Sequence, residues 1–216
     1  MPQPGASGVV AFKNEAFSFF THAGGALAAA LGLFLLVSRA ADAPAVAALS
    51  VYGGTMILMF TTSAFHHVAH AEEGFFRRLD MSAIYLFIAG SYTPFCVLAL
   101  PRAWGVPMLL LIWGLALAGV MMRWTLPKTP RWITASLYLG MGWISLLGIY
   151  PLVQAVGWMP AIMLCVGGVV YSVGAIVYAR GSPDPWPKYV GYHGLWHVFV
   201  LVGAGIHFTI VWGFLR

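Results

Sequence analysis

The stretch Tyr192-His193-Gly194-Leu195-Trp196-His197 opens an apolar run that continues to Phe214. This run has about the 20 residues that a helix needs to cross a bilayer. His193 and His197 are four residues apart, so on a helix both imidazoles lie on one face, one turn apart. Two neutral imidazoles in that arrangement can bind one metal ion. The sequence therefore predicts a membrane-spanning helix with two candidate metal ligands near its start.

Six further apolar segments precede this run, and none shows the alternation expected of a barrel strand. Hydrophobic residues make up 61% of the 216-residue chain and charged residues only 8%, whereas soluble domains carry about 25% charge. In lipid, backbone polar groups are satisfied only by helices or closed barrels. We therefore predict an all-α integral membrane protein, with residues 1–216 forming a single seven-transmembrane helix bundle. The helices are expected at about 16–38, 45–67, 79–100, 104–122, 132–153, 159–179 and 193–214.

The basic residues set the expected orientation, because cytoplasmic loops carry an excess of lysine and arginine. With the N-terminus inside, the inner segments hold Lys13, Arg77, Arg78, Arg123, Lys128, Arg131, Arg180 and Lys188, and the outer ones Arg39, Arg102 and Arg216. We therefore expect a cytoplasmic N-terminus and an external C-terminus. The net charge of +5 forms no basic block, which argues against a nucleic-acid partner. No disulfide framework and no cleavable signal peptide are expected.

With this topology, polar side chains from three helices meet at the cytoplasmic face. They are Thr62, Ser63, His66, Asp80, His193 and His197. Two histidines from one helix and a third from another leave an open fourth position, which is typical of catalytic zinc. Asp80 can orient a water there or take its proton, and Thr62 or Ser63 can hydrogen-bond the water or a substrate carbonyl. Alternatively, Asp80 has only a structural role, as a carboxylate at the start of a helix that the helix dipole and the nearby arginines stabilise.

The remaining histidines are not expected to be the primary metal ligands. His67 points about 100° away from His66 on a helix, so it is expected to be a neighbour of the site rather than a ligand. His70 follows His66 by four residues and can replace it if the helix continues that far. His22 and His207 are expected to hydrogen-bond across helices inside the bundle.

Four stretches resemble the hemolysin III (TrhA) group of the progesterone and adipoQ receptor (PAQR) superfamily, which also includes the adiponectin receptors. They are Glu15 to His22, Thr61-Thr62-Ser63-Ala64-Phe65-His66, Leu79 to Phe95, and Tyr192 to His197. The second is similar to the family's Ser-x-x-x-His, with the serine falling on Thr62, and the fourth to its His-x-x-x-His. The resemblance implies a zinc ion near the cytoplasmic face of a bacterial cell-membrane protein. It further implies the ligands His66, His193 and His197, with Asp80 holding the zinc-bound water.

The resemblance also implies a relation to membrane hydrolases that include the alkaline ceramidases, and a link to membrane homeostasis. The leading hypothesis is a zinc-dependent hydrolase of a lipid amide or ester, with membrane lipids as partners. The alternatives are a membrane-fluidity sensor or receptor with structural zinc, and a pore-forming, hemolysin-like protein.

Overall fold

The computed structural model describes residues 4–68 and 74–215, with side chains from Glu15 onward. His70 lies outside the described residues. Within them the chain is helical and contains no strand. The helices are α1 (Pro4–Ser38), α2 (Ala43–Val68), α3 (Phe75–Pro94), α4 (Arg102–Thr125), α5 (Arg131–Trp143), α6 (Ile149–Val156), α7 (Trp158–Arg180) and α8 (Gly191–Phe214).

Seven segments of these residues are long and apolar enough to cross a membrane, which confirms the predicted fold class. They are Glu15–Ser38, Ala43–Val68, Phe75–Ala99, Arg102–Thr125, Arg131–Val156, Trp158–Arg180 and Gly191–Phe214. The fifth joins α5 and α6 through a 3-10 turn, Ile144–Gly148. The protein is thus an integral membrane protein. The cytoplasmic position of its N-terminus stays a prediction.

The third span starts about four residues before its expected boundary, at Phe75 rather than near residue 79. Gly74 precedes it with a φ of 126°, a conformation that only glycine adopts readily. The helix therefore begins directly after this glycine and includes the two arginines that follow. The α-helix ends at Pro94, which has no backbone N–H to donate, and the chain continues as the π-helical segment Phe95–Ala99.

The span that begins with α3 forms the centre of the bundle, since 72% of its apolar 18-residue stretch is buried. α2 lies between α1 and α3, while α8 contacts both α7 and α1. This arrangement brings the part of α1 around Glu15 and His22 together with the end of α2, the start of α3 and the start of α8. The predicted polar residues lie at the ends of α2, α3 and α8 that meet here.

Candidate metal centre

Three imidazoles from two spans meet where α2 ends and α8 begins. One ring nitrogen from each of His67, His193 and His197 lies within 4.8 Å of the other two. The Nε2 atoms of His67 and His197 are 3.2 Å apart. His67 and His197 are buried, and His193 is half-buried. Four residues separate the two α8 histidines, so one helical turn delivers both rings to the same place.

The arrangement of these nitrogens fits a shared metal ion. Two nitrogens bound to one tetrahedral zinc at about 2.05 Å lie roughly 3.3 Å apart. The observed Nε2 to Nε2 distance of 3.2 Å is close to this value. Three imidazoles leave a fourth position open, and neutral imidazole also suits copper, iron and nickel. The cluster can therefore hold a transition metal, of which zinc matches the donor set well.

A carboxylate from α1 fixes the orientation of His67. Oε2 of Glu15 lies 2.5 Å from Nδ1 of His67. A carboxylate at Nδ1 keeps the proton on that nitrogen and leaves the Nε2 lone pair free for a metal. Glu15 therefore supports the cluster without being a ligand, and it links α1 to α2.

Replacing Glu15 with glutamine is expected to weaken zinc affinity about 10–100-fold, because the partner of a ligating histidine tunes its basicity and orientation. Affinity is measured by competition against a soluble chelator in detergent. Asp42→Asn is the matched control, because Asp42 is exposed before α2 and accepts a hydrogen bond from the Ala45 amide. Equal zinc affinity in Glu15→Gln and wild type would show that the carboxylate does not support the ligand.

The structure differs from the sequence expectation at His66. Its neighbour His67 occupies the place in the cluster, and the two rings have centroids 5.2 Å apart. Nδ1 of His66 has no hydrogen-bond partner within the described residues. Adjacent residues on a helix point about 100° apart, so only one of them can face α8. The packing of α2 against α1 and α3 turns His67 to that side.

The packing that turns His67 towards α8 also places the hydroxyls of Thr62 and Ser63 on different sides of α2. The Thr62 hydroxyl donates to the backbone oxygens of Leu58 and Met59 within its own helix. Ser63 instead lines the internal cavity beside Asp80. Of the two candidate hydroxyls, Ser63 is therefore the one beside the predicted catalytic carboxylate.

The sequence contains a spacing that favours the pair Ser63 and His67. Ser63 and His67 are separated by three residues, so Ser63-Ala64-Phe65-His66-His67 meets the Ser-x-x-x-His pattern without any departure. Aligning the pattern on His66 placed its serine on a threonine. The consecutive histidines made both alignments available, and the one that retains the serine agrees with the structure.

A fourth histidine contacts the cluster from α1. The ring of His22 is stacked on that of His197, with centroids 3.7 Å apart and an interplanar angle of 19°. His22 is buried and lines the cavity. This contact packs His22 against the face of the His197 ring, and it gives His22 a positioning role that spacing alone did not suggest.

The cluster lies at one end of a cavity of about 160 Å³ inside the bundle. At this end the lining includes Ser63, Asp80, His193 and His197. Most of the remaining lining is apolar and aromatic, and it reaches α4 at Met108 and α6 at Ile149 and Leu152. Asp80 is the only acidic or basic lining residue other than histidine among the residues described. The cavity thus joins a polar end to a long apolar interior.

Comparisons with known proteins agree with this architecture. Residues 10–208 match the family described as Haemolysin-III related. The chain is 37% identical to Hemolysin-3 of Bacillus cereus, over 92% of this chain and 90% of that protein. It is 32% identical to the Hemolysin-3 homolog of Bacillus subtilis, over 92% and 93%. A more distant similarity, 25% over 94% and 84%, connects it to the human Monocyte to macrophage differentiation factor. Bacterial relatives and seven apolar spans agree with a location in the bacterial cell membrane. The chain belongs to the Haemolysin-III related family.

Proposed function

We propose that this protein is a zinc-dependent membrane hydrolase that cleaves an amide or ester bond of a lipid. One observation carries the proposal: His193 and His197 of the three-histidine cluster line an internal cavity together with the Asp80 carboxyl, and most of the remaining lining is apolar and aromatic. A lipid has the matching shape, with a polar carbonyl at one end and an apolar chain beyond it. The bundle is also surrounded by such molecules.

Each group of residues at the site has a separate role in the proposed hydrolysis. Zinc held by His67, His193 and His197 would supply Lewis-acid polarisation of the carbonyl and activation of a water molecule. The Asp80 carboxylate accepts the proton of the attacking water and returns it to the leaving group. The Ser63 hydroxyl lies beside that carboxylate in the cavity, where it can hydrogen-bond the carboxylate or the substrate carbonyl. The apolar lining binds the acyl chain and keeps other water away from the bond that is cleaved.

The experiment is a direct measurement of lipid cleavage. Purified protein is reconstituted in vesicles that contain phospholipids and ceramide, and released fatty acid is measured by mass spectrometry. We expect release with wild type, and release at the level of empty vesicles after chelation or with His193→Ala. Thr209→Val is the control, because Thr209 is exposed on the same helix and its hydroxyl bonds only to the Gly205 carbonyl. No release by wild-type protein that contains zinc would reject the hydrolase.

A second candidate is a membrane sensor or receptor in which zinc is structural. It is favoured by the contact between Glu15 and His67, because a metal at this cluster would connect α1, α2 and α8. Metal that binds only the folded protein stabilises it, by about 4 kcal/mol when present at a thousandfold excess over its Kd. A large loss of thermal stability on chelation, in a protein that releases no fatty acid, would support this candidate.

A further inference from the structure

A second pair of polar side chains lines the same cavity far from the histidine cluster. His207 of α8 and Tyr171 of α7 have ring centroids 5.7 Å apart, at an interplanar angle of 73°. His207 is ten residues beyond His197, which is roughly 15 Å along the helix. Because the hydrocarbon core of a bilayer is about 30 Å thick, this pair lies inside it and well away from the histidine cluster.

Both side chains have hydrogen-bonding atoms without a partner. Nδ1 of His207 and the hydroxyl of Tyr171 are buried and unpaired within the part of the chain that the structure describes. Buried polar groups in folded proteins are nearly always hydrogen-bonded. Neutral imidazole offers one donor and one acceptor, and a phenol offers both. The pair can therefore bind a group that donates and accepts at once.

Two glycines make room for these rings. A Cβ atom at Gly203 of α8 would lie 2.6 Å from Cζ of Tyr171, and one at Gly167 of α7 would lie 3.1 Å from Cδ2 of His207. Each ring thus rests against a glycine of the opposite helix. Small residues permit this close approach of transmembrane helices. The helix backbones, rather than hydrogen bonds, position the two polar groups in the cavity.

We propose that His207 and Tyr171 form a subsite that binds a hydroxyl group carried partway along the apolar chain of a lipid. A hydroxyl can donate to one of the two side chains and accept from the other. Val200, which lies between His197 and His207 on α8, is an apolar lining residue of the cavity, so an apolar chain fits between the two sites. No lysine or arginine is among the described lining residues, so a chain carboxylate would find no counter-ion there. The placement of the carbonyl at the histidine cluster rests on the proposed hydrolase function.

The test is competition between fatty acids, which cannot be hydrolysed and therefore report binding even if no lipid is cleaved. Purified protein in detergent is mixed with equal amounts of stearic acid and 12-hydroxystearic acid, and the bound ratio is read by native mass spectrometry. We expect about tenfold preference for the hydroxylated chain, from one or two added hydrogen bonds. In Tyr171→Phe, which removes only the hydroxyl, the ratio should fall towards one, and in His207→Leu likewise.

Two controls make the result specific. Thr209→Val removes a hydroxyl from the outer face of α8, near the depth of His207, and should keep the wild-type preference. Stearic acid hydroxylated at carbon 2, near its carboxyl group, should gain nothing over plain stearic acid at the proposed depth. Equal binding of plain and 12-hydroxylated chains by wild type, a preference that survives both variants, or no bound fatty acid at all would each overturn the subsite.

Discussion

Replacing His67 with alanine is expected to leave the purified protein without zinc, whereas His66→Ala keeps about one ion per chain. His67 places a ring nitrogen within 4.8 Å of those of His193 and His197, and its Nε2 is 3.2 Å from that of His197. Loss of this ligand leaves only the two α8 histidines. The affinity should therefore fall by more than the roughly 100-fold caused by losing a supporting residue.

Metal content is measured by inductively coupled plasma mass spectrometry on protein prepared without chelators. His66→Ala is the matched control, since it removes the adjacent imidazole from the same turn of α2. His193→Ala should lose the metal together with His67→Ala. Gel filtration checks that each variant is monodisperse. Zinc lost in His66→Ala and retained in His67→Ala would reverse the assignment and return the ligand role to His66.

Replacing Asp80 with asparagine is expected to reduce lipid hydrolysis by about 10²–10⁴-fold while the protein keeps its zinc. Asparagine has nearly the same shape as aspartate, but it cannot accept the proton of an attacking water. Fatty acid release and metal content are measured on the same preparation. The combination separates a role in the reaction from a role in holding the metal.

Asp184→Asn serves as the control, because Asp184 is exposed in the loop between α7 and α8. It should match wild type in both measurements. Full hydrolysis by Asp80→Asn would remove Asp80 from the reaction. Loss of zinc in Asp80→Asn would make the carboxylate part of the metal site. A structural role for zinc predicts a third result: unchanged stability of Asp80→Asn and strong destabilisation on metal removal.

The number and approximate bounds of the membrane spans could be predicted from the sequence alone. Apolar length is a local property, and lipid leaves the backbone of such a segment no alternative to a helix. The pairing of His193 with His197 is local for the same reason, since four residues make one turn of one helix. The resemblance to the family also rests on short local patterns, and the match over residues 10–208 agrees with it.

Only the tertiary structure decided which side of each helix faces the centre. α2 has both lipid-facing and buried residues that are apolar, so hydropathy does not define its rotation about its own axis. Packing against α1 and α3 sets that rotation, and it decides between the two alignments of the Ser-x-x-x-His pattern that the sequence allows, in favour of Ser63 and His67. The same holds for the contact between Glu15 and His67, which are 52 residues apart in the chain. The cavity that connects the histidine cluster to Tyr171 and His207 likewise exists only once the spans have packed together.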